Sequence, residues 1–190
     1  MQDGPVAAGF ADLTLLHNCL PETNGAAVSL QTECAGFRLA HPVIINAMTG
    51  GAPDLLQVNA RLAEIARRTQ SVMAVGSQFA AIEHPEAVES FTVVRKVNPD
   101  GLIWANIGAY ADVSAAERVV DMLRADALQV HLNAAQETCM QEGDSDYTGW
   151  LRHIEAMARS LSVPVIAKET GCGMARAQVR QLAEVGVRAV

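Results

Sequence analysis

The sequence predicts an α/β protein of the (β/α)8 barrel class, of which the chain supplies about five strand–helix units. Three observations predict this class. Short apolar runs rich in β-branched residues recur at intervals of roughly 25 to 40 residues, the length of a βαβ unit. Amphipathic helical patterns separate these runs, which indicates a parallel sheet covered by helices. Polar residues end nearly every run, as they do where a barrel builds a site.

Five runs are predicted to be strands because they are short and dominated by apolar side chains. In chain order they are residues 43–47, 72–76, 102–106, 127–133 and 165–169. Residues 187–190 are predicted to begin a sixth strand. The first 40 residues precede this pattern, so we assign residues 1–40 to an N-terminal extension and residues 41–190 to a partial barrel domain.

Helical patterns occupy the intervals between the predicted strands, at residues 54–69, 85–97, 114–124, 147–161 and 175–185. Ser114 and Glu117 have the spacing of a capping box, which predicts that Ser114 is the N-cap of its helix. Gly186 follows the last pattern and is typical of a helix end.

An open doubly wound sheet is the alternative architecture. Its dinucleotide-binding form carries G-x-G-x-x-G after the first strand, whereas here the first strand is followed by Met48, Thr49, Gly50 and Gly51. This short segment is also consistent with an ordinary strand-to-helix turn. Because several different strands end in polar residues, we favour the closed barrel.

Composition excludes some classes of function. Half of the residues are hydrophobic, 18% are charged and the formal net charge is −7, which argues against a nucleic-acid surface. No apolar run approaches the roughly 20 residues of a membrane span. The four cysteines are widely spaced without a C-x-x-C pair, which favours reduced thiols in a cytoplasmic protein. We expect neither nucleic acid nor membrane as a partner.

The most informative segment is residues 129–137. Three polar residues alternate with two apolar ones at its start, and they are Gln129, His131 and Asn133. A period of two indicates a strand, and three hydrogen-bonding groups on one face are costly unless something binds them. Gln136 and Glu137 follow directly. The segment predicts a binding site for a polar ligand or a hard metal ion, although His131 alone could be a core histidine with all its hydrogen bonds made.

Other chemically active residues are interpreted individually. Lys168 lies at the end of an apolar strand, and because a buried amine needs an anion, we interpret it as a site residue. Cys172 has no adjacent base, so an ordinary loop role is favoured over a nucleophile. Glu142, Asp144 and Asp146 lack the spacing of an EF-hand loop and are interpreted as capping or solvated residues.

A series of short motifs carries a family resemblance. The motifs are residues 9–12, 17–22, 47–51, 76–78, 131–137, 142–144 and 168–173. In order and spacing they resemble the type 2 isopentenyl-diphosphate isomerases, from about Gly9 to Val190. The resemblance implies a barrel that binds FMN and Mg²⁺ and interconverts isopentenyl and dimethylallyl diphosphate in isoprenoid biosynthesis, with NADPH or another reductant keeping the flavin reduced.

The resemblance also implies residue roles. The residues implied to bind the flavin are Ala47, Met48, Thr49, Ser77, Asn106 and Lys168. Those implied to bind the diphosphate substrate are Ser77, Gln78, His131, Asn133 and Gln136. Gln136 is the implied catalytic residue and Glu137 the implied Mg²⁺ ligand. No side chain is an obvious acid for an alkene, which agrees with the family view that the reduced flavin shuttles the proton.

The chain departs from the family pattern at several places. Phe79 stands where Arg is common, and Met174 and Ala175 stand where a Ser often occurs. The N-terminal Arg-Lys pair and the later strands with their Gly-rich loops are missing, so we expect a part of a longer protein that forms a homo-oligomer when complete. Two other functions stay open: another FMN-dependent barrel oxidoreductase, and a non-catalytic truncated remnant.

Overall fold

The protein is described by a computed structural model over residues 10–140 and 145–190. A small antiparallel hairpin comes first, and its strands are β1 (Thr32–Cys34) and β2 (Phe37–Leu39). A five-stranded parallel sheet follows, in which the order of the strands is their order along the chain. Its strands are β3 (Ile44–Ile45), β4 (Val72–Ala74), β5 (Ile103–Gly108), β6 (Ala127–Leu132) and β7 (Val165–Glu169).

Seven α-helices lie in the described ranges. They are α1 (Leu56–Thr69), α2 (Phe79–Glu83), α3 (Val88–Val97), α4 (Val113–Leu123), α5 (Ala134–Cys139), α6 (Trp150–Ser160) and α7 (Arg176–Glu184). Short 3₁₀ turns cover Phe10–Asp12, Gly25–Ala27, Pro53–Leu55 and Pro85–Ala87. No helix in these ranges is both long enough and apolar enough to cross a membrane.

The sheet is buried on both faces. Toward the helices, the core contains large apolar residues such as Phe91, Ile107 and Leu128. The opposite, concave face carries a second cluster that includes Trp104 and Ile166. Strands covered on both sides are typical of a parallel sheet in an α/β fold. The sheet curls into half of a barrel, so the predicted fold class is confirmed.

Several predicted boundaries differ from the structure. The first strand is paired only at Ile44 and Ile45, and the third extends two residues further than predicted, to Gly108. The prediction that Ser114 caps its helix is wrong. Asp112 is the N-cap, and its carboxylate accepts a hydrogen bond of 2.8 Å from the Ala115 amide, which satisfies a helix donor before Ser114 is reached. The short helices α2 and α5 were not predicted.

The amino ends of β5 and β6 are bound together by a buried arginine. The Arg95 guanidinium is held between α3 and the loops that precede β5 and β6. It donates to five oxygens, which are the carbonyls of Pro99, Gly101, Leu123 and Arg124 and the carboxylate of Asp126. Asp126 also accepts the Ile103 amide at 2.8 Å. This set of contacts is called the Arg95 cluster below.

The segment after α7 returns to the sheet. The Ala167 amide donates to the Ala189 carbonyl at 3.0 Å, and the Arg188 amide donates to the Val165 carbonyl at 2.9 Å. Ala189 forms a parallel bridge with Ile166. This geometry is that of a chain starting to pair with the free edge of β7. The division into residues 1–40 and 41–190 stays a prediction.

Candidate active site

Polar side chains collect where the parallel strands end. The register places Gly108 of β5, His131 of β6 and Lys168 of β7 in one row, and Asn106 lies opposite Gln129 two pairs earlier, on the same face of the sheet. Because all strands point the same way, these positions share the carboxyl end of the sheet. The predicted grouping of polar residues at this end therefore agrees with the strand register.

His131 is half-buried beside Lys168. Burial, assisted by the positive charge of Lys168, lowers the pKa of His131 to about 4, so the imidazole is neutral near pH 7. The ring of Tyr110 meets the imidazole edge-on at 6.3 Å, and Phe79 meets Tyr110 edge-on at 5.2 Å. Three rings in edge-to-face contact thus form one wall of the strand mouth.

Lys168 is half-buried at the end of β7, and burial lowers the pKa of its amine against the opposing effect of Glu169. No ion pair of Lys168 is found within the described ranges. The Glu169 carboxylate instead accepts the amides of Gly171 and Gly173, each at 2.7 Å. The Lys168 amine is therefore available to bind a negatively charged ligand.

An open cavity of about 660 Å³ lies on the concave side of the sheet. Asn46, Trp104, Gln129, Ile166 and Lys168 are among the residues that line it. The Gln129 amide donates to Asn46 Oδ1 at 3.1 Å. Among the described residues, three buried polar atoms of this region have no hydrogen-bond partner, namely Trp104 Nε1, Asn106 Oδ1 and Gln129 Oε1. Such atoms are expected where a polar group binds.

The β3 loop, residues 46–52, contains three of the predicted flavin-binding residues. Ala47 is buried, whereas Met48 is 67% exposed. The Thr49 hydroxyl donates to Asn59 Oδ1 of α1, and the Thr49 carbonyl accepts the Gly76 amide at 2.8 Å. A Cβ atom on Gly76 would lie 3.1 Å from the Thr49 backbone, so the ends of β3 and β4 approach as closely as they do because residue 76 is glycine.

Ser77 and Gln78 follow β4 but have different surroundings. Ser77 Oγ is buried and has no hydrogen-bond partner of normal geometry in the described part of the chain. Gln78 is fully buried. Its amide donates to the Val119 carbonyl at 3.0 Å and its Oε1 accepts the Asn106 amide at 3.1 Å. Gln78 therefore ties β5 to α4, and its position gives no support to the predicted role in binding substrate.

The 131–137 segment continues from β6 into α5. Asn133 Oδ1 accepts the Thr170 hydroxyl at 2.7 Å, which joins the loops after β6 and β7. Glu137 is half-buried in α5. Burial, followed by the Glu137 charge, raises the pKa of Tyr110, so this carboxylate acts on the ring wall described above.

Some predicted residues lie outside what the structure describes. They are Gly9, the side chain of Gln136 and the motif at residues 142–144. Over the described ranges, no group of three or more His, Cys, Asp or Glu side chains could hold a metal ion. Glu137 would therefore need a ligand's own oxygens, or water, to complete a metal site.

Two residues of the site region were missed by sequence reasoning. Tyr110 lies just beyond the carboxyl end of β5, and its position two residues after Gly108 could have indicated it. Asn59 is a polar residue on the apolar stripe of α1, between Leu55 and Leu62. A buried polar residue on an apolar stripe needs a partner, and that signal was available in the sequence.

No family model matches the chain. An isopentenyl-diphosphate delta-isomerase of Moorella thermoacetica is 50% identical over 187 residues, which are 98% of this chain and 54% of the relative. One of Bacillus cereus is 45% identical over 183 residues, which are 96% of this chain and 52% of the relative. The chain thus spans about half the length of the curated relatives it matches.

Solved structures show the same architecture at low identity. A lactate oxidase of Pediococcus acidilactici superposes with a TM-score of 0.61 at 13% identity, over 84% of this chain and 48% of the other. A mandelate oxidase with 3,3-difluoro-2-hydroxy-3-phenylpropionic acid gives 0.56 at 15% identity, over 85% and 50%. A mandelate oxidase variant with the monooxide FMN adduct gives 0.53 at 14% identity, over 84% and 49%. At such identities the likeness concerns the fold.

The fold and the polar strand mouths define a protein of the α/β-barrel class, with a candidate site at the carboxyl ends of its strands. The chain is also 45–50% identical, over nearly its whole length, to proteins named isopentenyl-diphosphate delta-isomerase. The resemblance predicted from the short motifs is confirmed.

Proposed function

We propose that the complete protein interconverts isopentenyl and dimethylallyl diphosphate by the type 2, flavin-assisted route. The observation that carries the proposal is 50% identity to a relative of that name over 98% of the chain. That length includes every strand end that contributes to the candidate site. The reaction moves a double bond by adding a proton at one carbon and removing one at another, without net oxidation.

We propose FMN as the cofactor, and the residues present fit it. The unpartnered buried oxygens of Asn106 and Gln129 suit the polar edge of a flavin ring. Ala47, Met48 and Thr49 would line the ring, and Ser77 would hydrogen-bond to it. Lys168 would place a positive charge where it stabilises a reduced, anionic ring. When bound and kept reduced by NADPH or another reductant, the flavin supplies the group that moves protons to and from the alkene.

The substrate is proposed to lie against His131, Asn133 and Gln136. Since the pKa of His131 is about 4, its imidazole is neutral at pH 7 and can donate one hydrogen bond to a substrate oxygen without changing its charge. Gln136 is proposed as the residue that touches the reacting atoms. The ring wall of Phe79, Tyr110 and His131 would exclude water from the alkene.

Glu137 is proposed as the protein ligand of Mg²⁺. A single carboxylate suits this ion, which keeps several waters and takes phosphate oxygens as its other ligands. The absence of a three-residue metal cluster over the described ranges fits an ion that arrives with a diphosphate. We also propose that the protein is a cytoplasmic homo-oligomer; its four cysteines are free thiols.

The test is turnover by the complete gene product, loaded with FMN and Mg²⁺ under a reductant. We expect isopentenyl diphosphate to give dimethylallyl diphosphate, measured by NMR, with less than one equivalent of reductant consumed per product. Stoichiometric consumption of reductant or oxygen, or oxidation of a 2-hydroxy acid, would instead indicate a flavin-dependent oxidoreductase. A folded, flavin-loaded protein with neither activity would support the non-catalytic alternative.

A further inference from the structure

A buried polar network connects the β3 loop to two helices. Asn59 of α1 is fully buried and Ser90 of α3 is 1% exposed. The Asn59 amide donates to the Thr49 carbonyl at 3.3 Å and to the Ser90 carbonyl at 2.7 Å, and its Oδ1 accepts the Thr49 hydroxyl. Asn59 therefore uses its acceptor and its amide nitrogen, and two of these three bonds reach the loop.

Ser90 makes a second connection to the same loop. Its Oγ accepts the Gly51 amide at 3.0 Å and donates to the Ala87 carbonyl at 2.7 Å. Gly50 and Gly51 have φ values of +140° and +91°, and a Cβ atom on Gly50 would lie 2.0 Å from Phe91 Cε1. The two glycines thus have a conformation that other residues rarely adopt, pressed against α3.

This network binds the β3 loop, and it stabilises the contact between the two helices less than apolar side chains would. A polar pair inside an apolar helix interface contributes less to stability than apolar packing of similar volume, because its groups must be desolvated. Here each polar atom is matched to a backbone or hydroxyl group of residues 49–51, of α3, or of Ala87 just before α3. The hydrogen bond from the Gly76 amide to the Thr49 carbonyl connects this loop to the end of β4, so the position of the loop also fixes the end of that strand.

We propose that Asn59 and Ser90 are positioning residues that hold the β3 loop in the shape needed to receive the flavin. Neither side chain contacts the strand mouth directly. They act through Thr49 and Gly51, and they set the distance between the ends of β3 and β4. The effect on flavin binding rests on the proposed function, whereas the effect on the conformation of the loop does not.

The variants are Asn59→Asp and Ser90→Ala in the complete gene product. Asn59→Asp keeps the shape and the acceptor but removes the donors to Thr49 and Ser90. Ser90→Ala removes only the partner of the Gly51 amide and is the milder change. The matched control is Asn98→Asp. Asn98 is 2% exposed and follows the carboxyl end of α3, so the same substitution there perturbs the protein at the opposite end of the sheet.

The first measurement is hydrogen exchange of the peptide covering residues 46–52, with global stability measured by urea unfolding. We expect exchange in this peptide to quicken about tenfold in both variants, the effect of losing one or two buried hydrogen bonds. The Asn98→Asp control should leave the exchange of this peptide unchanged. The proposal would be overturned if residues 46–52 exchanged equally fast in the two variants and in the control, when proteins of equal free energy of unfolding are compared.

The second measurement is the flavin dissociation constant, with the absorption spectrum of the bound flavin. We expect Asn59→Asp and Ser90→Ala to weaken binding about tenfold and to shift the spectrum, while Asn98→Asp alters neither. If the parent protein binds no flavin, the proposed function fails and the exchange measurement still decides whether the loop is held as proposed. Faster exchange with unchanged flavin affinity would overturn the role in flavin binding.

Discussion

His131 shows how burial sets the state of one residue. Its pKa is lowered from 6.5 to about 4 by burial and by Lys168. Between pH 4 and pH 6.5, His131 is therefore protonated in the unfolded chain and neutral in the folded protein. Stability therefore rises with pH across this window and is lost as pH falls toward 4. The same residue should not titrate in a rate profile between pH 6 and 8.

We expect His131→Gln to flatten part of this pH dependence. The free energy of unfolding, from urea titrations at pH 5 and pH 7, should differ less between the two pH values in the variant than in the parent. The matched control is His84→Gln, since His84 is exposed near Glu86. An equal pH dependence in parent and His131→Gln would show that the imidazole is not held neutral.

Glu137 is the carboxylate that we propose to bind Mg²⁺. Glu137→Gln replaces it with a poor ligand for a hard ion of nearly the same size. We expect the isomerisation rate at low Mg²⁺ to fall at least about tenfold, with flavin binding unchanged because Glu137 lies beyond the proposed flavin residues. Glu86→Gln, at an exposed position, is the control. Unchanged activity at low Mg²⁺ would place the ion elsewhere.

The candidate site could be predicted only in part from single residues. The alternation at residues 129–133 predicted the polar face because one strand's side chains follow a fixed period. Gln78 was assigned to substrate, but contacts with Val119 and with Asn106 place it in the core. These partners are 41 and 28 residues from Gln78 in the sequence, so no local sequence pattern could have predicted the contacts.

At the scale of elements, the strands and long helices were predictable and the short pieces were not. β5, β6 and β7 are six, six and five residues long and mostly apolar, which is long enough for a strand pattern to be visible. Helices α2 and α5, of five and six residues, are too short to repeat an amphipathic stripe. Their helical form therefore depends on tertiary packing.

The Arg95 cluster gives a prediction about stability at this scale. Arg95→Met keeps much of the side-chain volume but removes the donor to Asp126 and to four carbonyls. We expect a loss of about 3 kcal/mol in the free energy of unfolding. Arg67→Met is the control, because Arg67 pairs with Glu64 at the surface, where ion pairs contribute little. Similar losses for the two variants would contradict a special role for the cluster.

At the scale of the whole molecule, residues 1–190 alone expose much apolar surface. Leu15 and Leu16 are 95% and 94% exposed, and the five-stranded sheet does not close, because β3 and β7 do not pair with each other. Open strand edges and exposed leucines favour association. The inner face of the sheet also offers only half of an enclosure for a flavin.

We therefore expect the purified 190-residue chain to be colourless, inactive and prone to aggregate. Flavin absorbance and sedimentation velocity measure these properties directly. The control is the complete gene product, prepared in the same way. A yellow, monodisperse and active 190-residue protein would show that the half-barrel is sufficient.

The placement of the Arg95 cluster has a consequence for protein engineering. It binds the amino ends of β5 and β6, whereas the β3 loop, His131 and Lys168 lie at the carboxyl ends of the strands. Changes in the loops of the candidate site should therefore disturb the Arg95 cluster little, because the two lie at opposite ends of the strands. A library that randomises exposed positions near the candidate site, such as Met48 and Cys172, while sparing Arg95 and Asp126, is expected to yield mostly folded proteins. New ligand preferences could then be selected without first restoring the fold.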